Sequence, residues 1–189
     1  MKFVRIAMGI VVLLIAIGTV VQQMGTNKAN TKVDEANASI AKADEHVNTA
    51  AKKYDELFSE ENIAAFPGNR EQFKKLAEEI ADHAKQGAKH FSDAAAKFAE
   101  AGKDGVGKDA VTEYWKLKGQ VNQKFSEGIL ALADGAGLFL DESIVDAAAL
   151  KEKVIACTER LTKGMDEGKA LNADAEKLQA ANKDEFKQN

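Results

Sequence analysis

Val33, Ala36, Ile40, Ala43, Val47, Ala50, Tyr54 and Leu57 follow one another at steps that alternate four and three without a break. Such spacing puts an apolar stripe down one face of a helix and leaves the opposite face polar, as in a bundle or coiled coil. The pattern predicts a helix over 31–59, started by Thr31. A second stripe follows at Phe73, Ala77, Ile80, Ala84, Gly87, Phe91, Ala94, Phe98 and Ala101. Between the two, Pro67-Gly68 ends one helix and Asn69 offers a side-chain cap for the next. The glycine-rich stretch 102–107 is the second break. A third helix is expected over 109–139, with Val111, Tyr114, Val121, Phe125, Leu132 and Phe139 inward, and a fourth from about Ser143 to the C-terminus. The fourth stripe includes Leu150, Val154, Cys157, Leu161, Met165, Gly168 and Leu171. Gly119, Gly128, Gly135 and Gly137 either weaken the third helix or let a neighbour approach closely.

With one proline and no β-branched run bounded by turn signals beyond the N-terminal segment, no strand is expected. The fold class is therefore all-α. Short connections between long helices favour an antiparallel up-down-up-down four-helix bundle over a three-helix core with a protruding fourth helix.

The N-terminus differs in kind. Lys2 and Arg5 precede residues 6–21 (IAMGIVVLLIAIGTVV), and no charge appears before Lys28. Sixteen residues rise about 24 Å as helix, and snorkelling of the flanking basic side chains extends that toward a span. A single transmembrane signal anchor, touching the membrane through residues 6–24, is the leading reading. Ala16 and Gly18 also satisfy a signal-peptidase cut before Thr19, which would free the mature chain for secretion. Under both, residues 1–27 form an anchor or signal sequence and 28–189 an extracytoplasmic bundle, periplasmic or extracellular. The segment VDEANASI at 33–40, placed just after an N-terminal anchor, resembles the start of the extracytoplasmic helix in LemA-family membrane proteins. The resemblance covers those eight residues, and Tyr54-Asp-Glu-Leu-Phe58 stands where that family continues Asp-Leu-Ile-Pro-Asn, so it transfers no function.

The net charge of −4 argues against nucleic acid as the main partner, which requires a positive field. A single cysteine, Cys157, excludes an intrachain disulfide and is expected in the core. GKDGVGKD at 102–109 imitates a phosphate-binding loop, yet Asp109 occupies the place of the magnesium-binding Ser or Thr. No catalytic constellation is present, so the chain is read as a non-enzyme without a cofactor.

Two groups of residues remain as candidate sites. If Leu57 faces Phe73, residues whose numbers sum to about 130 share a rung of the first two bundle helices. His46 then meets His83, with Glu79 one turn away, a ligand set suited to a transition metal. His90 lies about 10.5 Å from His83 along the axis, too far to share the ion. The second group gathers at the end distal to the membrane, where Phe66, Leu138, Phe139 and Leu140, with Phe58, Ile63, Ile144 and Val145, form either a plug closing the bundle or a patch for a partner protein. The expected function is a membrane-tethered, non-enzymatic interaction or scaffolding module of the cell envelope. The alternative is a small-molecule or metal-binding bundle, and homo-oligomerisation through the final helix is left open.

Overall fold

Small residues decide how closely these helices meet. The computed structural model describes residues 27–104 and 109–186, in which α1 (Asn27–Leu57), α2 (Glu60–Ala65), α3 (Arg70–Asp104), α4 (Asp109–Leu140) and α5 (Ala147–Ala181) form an all-helical bundle. No strand occurs among the described residues. The apolar segment 6–21 lies outside them, and no described helix is long and apolar enough to cross a membrane.

The predicted stripes are the core. Val33, Ala36, Ala43, Val47, Ala50, Tyr54 and Leu57 of α1 are buried, as are Ala77 through Ala101 at the predicted positions of α3. All six inward positions of α4 are buried, and so are Leu150, Cys157, Leu161, Met165 and Gly168 of α5.

Helix ends needed tertiary information. α1 is already helical at Asn27, the first described residue, so Thr31 is internal and its hydroxyl donates back to the Asn27 carbonyl at 2.9 Å. The 59–69 connection contains α2, whose first turn is capped by Ser59 Oγ accepting from the Asn62 amide. Asn69 accepts the first helical bond of α3 through its carbonyl, from the Phe73 amide at 3.2 Å. Its side chain does not cap. The Nδ2 donates to Asn62 at 2.9 Å, and Oδ1 is buried without a hydrogen bond. α3 runs through Gly102 to Asp104, beyond the expected break, where Gly102 packs closely on the Thr112 carbonyl and Trp115 Cβ of α4. α5 starts at Ala147, where Asp146 accepts from the Ala149 amide at 2.8 Å, rather than at Ser143.

Successive long helices run antiparallel. Lys28–Asp104 and Lys53–Glu79 fix the register of α1 on α3, at 2.8 and 2.6 Å. Ser126 Oγ donates to the Ala88 carbonyl at 2.8 Å between α4 and α3, and Lys118 Nζ to Asn172 Oδ1 at 2.6 Å between α4 and α5. The extensive contacts are α1 with α3, α3 with α4, and α4 with α5. Each of these three seams has glycine or alanine at its closest approach, such as Gly87 beneath Val47 and Gly128 against Gly164. Where α1 faces α5, Tyr54, Phe58, Val154 and Leu161 intervene instead. Large side chains hold those two backbones apart and leave a groove.

Two apolar clusters fill the interior. The larger runs from Ala43 and Phe91 to Phe139 and Ile144. The smaller centres on Phe98, Tyr114 and Trp115. On α4 the boundary between them is polar: Lys118 and Asn122 are both buried.

Candidate functional site

The seam between α1 and α3 brings His46 and His83 together, on the rung their numbering predicts. Their Nδ1 atoms are 3.0 Å apart, so one ring donates its proton to the lone pair of the other. Both side chains are half-buried. Glu79 does not join them. Its carboxylate pairs with Lys53 at 2.6 Å and approaches Lys75 at 3.7 Å, and the Lys53 hydrogen bond holds its pKa below the ordinary carboxylate value. A neighbouring ammonium on the same rung outcompetes a neutral imidazole for that carboxylate. The expected ligand set His46, His83, Glu79 is therefore not assembled, and no group of three His, Cys, Asp or Glu is poised for a metal among the described residues.

His90 takes the place beside His46 that Glu79 leaves. The His46 and His90 rings stack with centroids 5.7 Å apart and an interplanar angle of 23°. His46 lies in height between His83 and His90, so one ring on α1 reaches toward two on α3. Burial, and secondarily the proximity of His46, lowers the pKa of His90, against the opposing pull of Asp93. The spacing of His83 and His90 along α3 hides this contact; the rung numbering, which sets His46 opposite residues near 84–86, is the sequence signal for it.

At the distal end, Phe66 and Phe139 are buried rather than presented to a partner. Phe139 is fully enclosed and meets the rings of Phe58, Phe66 and Phe73 edge-on, with centroids 6.1, 5.2 and 6.1 Å away. Arg70 seals this cluster. Its guanidinium lies over the Phe66 ring and donates to the carbonyls of Phe139 at 3.1 Å and Ile144 at 2.5 Å. Carbonyls at the C-terminal end of α4 lack helical partners, and a cation there satisfies them while opposing the helix dipole. Leu138 and Leu140 are partly buried against the same core, and Val145 is exposed. Phe66 and Phe139 are thus enclosed at this end of the bundle, and Leu138 and Leu140 are partly covered.

The accessible apolar surface at this end lies elsewhere. The half-buried Ile63 of α2 and Val154 and Ile155 of α5, over the buried Tyr54 of α1, Phe58 just beyond it, Leu132 of α4 and Leu161 of α5, line a cavity of about 60 Å³ in the groove between α1 and α5. Tyr54, Asp55, Lys151 and Thr158 supply its polar atoms, and the Thr158 hydroxyl donates back to the Val154 carbonyl at 3.0 Å.

Two buried polar features escaped the sequence reading. Lys118 donates to Asn172, whose Nδ2 donates to Glu176 at 2.8 Å, and burial lowers the Lys118 pKa. Lys118 is one turn beyond Tyr114 on the inward face, which was its visible signal. Trp115 is fully buried and stacks on Phe98 at 5.7 Å. Asp44 Oδ1 is buried without a partner, and burial pushes the carboxyl pKa from 3.8 up to about 6. Because the folded state holds that proton more tightly than the unfolded chain, stability falls as pH rises through this interval and the full penalty stands above it. Asp44→Asn should therefore raise stability near neutral pH by about 1 kcal/mol, the partial exposure limiting the gain. The gain should vanish below about pH 4, where both states are protonated. Urea denaturation of the two proteins across that range measures it; an equal difference at every pH would contradict the assignment.

The 102–109 sequence that imitates a phosphate loop is helical through Asp104, which pairs with Lys28, and resumes as α4 at Asp109; residues 105–108 lie outside the described ones. No protein-family model matches the chain, and no curated protein or solved structure matches it either.

Proposed function

We propose that this chain is a membrane-tethered, non-enzymatic interaction module of the cell envelope, anchored through residues 6–24 with an antiparallel four-helix bundle on the extracytoplasmic side. The apolar run before Lys28 motivates the tether. One structural observation carries the interaction reading. The seams are packed with Ala, Val, Leu and Phe, and the cavity between α1 and α5 is lined chiefly by apolar side chains. Such a groove accepts an aliphatic or aromatic side chain of a partner protein. The partner surface moves accordingly from Phe66 and Phe139 to the half-buried Ile63, Val154 and Ile155, with Phe58 in the floor beneath them.

The tether and the surface are tested separately. The full chain should sediment with membranes and resist alkaline extraction, and deletion of residues 6–24 should release it. In a Cys157→Ser background, Lys163→Cys on the exposed face of α5 should react with a membrane-impermeant maleimide applied to intact cells. A photocrosslinking side chain at Ile155 should give a discrete adduct that the same group at Lys177 does not. A soluble full-length chain, or protection of position 163 in intact cells, would refute the tethered reading. Identical adduct patterns at 155 and 177 would refute the groove.

A further inference from the structure

We propose that His46 and His83 form a binding site for a divalent transition metal of the zinc or copper type, held between α1 and α3. This inference is independent of the membrane tether and of the groove.

The argument rests on the Nδ1 atoms. Two rings on different helices converge through the same atom type at 3.0 Å, with one proton between two nitrogens. Zinc binds imidazole nitrogen at about 2.0–2.1 Å, so two nitrogens of a tetrahedral ion stand about 3.3 Å apart. Opening the contact by a few tenths of an ångström, with each ring tilting so that both lone pairs aim at one point off the N–N line, admits the ion. The exchange balances in charge and atoms. The proton between the rings leaves its Nδ1 through solvent and returns to Nε2 of the same ring, and both Nδ1 lone pairs then bind the metal. Neutral imidazole is a preferred donor for zinc, copper and nickel, with copper the tightest of the divalent series.

The remaining coordination positions fall to water, or to His90 after a side-chain rotation from its stack on His46. Glu79 plays no part, because Lys53 holds it. Of the other charged groups around the seam, Lys42 and Lys89 act against a cation near His90, whereas Asp93 favours one.

Calorimetric titration of the full chain in detergent with zinc chloride, and separately with copper chloride, tests the proposal. One ion per chain at micromolar metal is expected. His83→Ala and the more conservative His83→Gln should each weaken binding by about tenfold or more, since a lost ligand costs at least as much as a lost supporting contact. Glu79→Gln should leave it unchanged. The copper complex should show hyperfine splitting from two imidazole nitrogens in its electron paramagnetic resonance spectrum, reduced to one in His83→Gln. Far-UV circular dichroism confirms that each variant is helical. Absence of saturable uptake at micromolar metal overturns the proposal, as does uptake that survives both His83 substitutions.

Discussion

Phe139→Ala should destabilise the bundle by about 3–5 kcal/mol, the range for removing an enclosed aromatic side chain. The ring is fully buried and touches three other aromatic rings contributed by the residue after α1, the residue after α2, and α3. Its loss leaves a cavity that the surroundings cannot easily collapse. Phe73 is fixed on a long helix, the Phe58 amide bonds back to the Tyr54 carbonyl of α1, and Phe66 is held beneath the Arg70 guanidinium, which is itself tied to two carbonyls. Urea unfolding followed by circular dichroism should show a lower midpoint with an unchanged slope. For a domain of this size the melting temperature should fall by roughly 10 °C. A loss under about 1 kcal/mol would mean that the ring is not packed as described, and the distal end would then regain its standing as an open patch.

The second large effect concerns glycines that look alike in the sequence and behave oppositely. A Cβ at Gly164 would stand 2.7 Å from the Gly128 Cα, 2.9 Å from its amide nitrogen and 2.9 Å from the Lys124 carbonyl oxygen. All three are backbone atoms of α4, so no side-chain rotation relieves the clash and α5 must move away. Gly164→Val should therefore cost about 2 kcal/mol, with overpacking outweighing the modest helix propensity that valine gains over glycine. At Gly137 a Cβ meets nothing within 4 Å. Gly137→Ala should stabilise by up to about 1 kcal/mol, less if the last turn of α4 frays. Paired denaturation curves check both, and matching signs would contradict the crossing of α4 over α5 at Gly128.

These glycines mark where sequence reasoning stopped. Periodicity identified the inward stripes because a helix repeats every 3.6 residues whatever it packs against. It identified the rung shared by His46 and His83 because a tight connection fixes the register of two antiparallel helices. It did not foresee Lys53 capturing Glu79. That depends on which of several neighbouring charges comes closest, a matter of ångströms that spacing does not resolve. α2 was missed because six residues with no buried side chain carry no periodic signal. The distal cluster was gathered in the right place, yet its division into enclosed rings and open groove depended on side chains from four segments at once.

By itself, then, the sequence determined the helices, their inward faces and the pairing of the first two, since each follows from local spacing and chain connectivity. Only the tertiary structure decided which seams close. Gly128 and Gly164 let α4 and α5 touch, while Tyr54, Phe58 and Leu161 keep α1 and α5 apart. The physical reason is that helix separation is set by the side chains of two helices meeting at one height, and that coincidence belongs to the packed molecule.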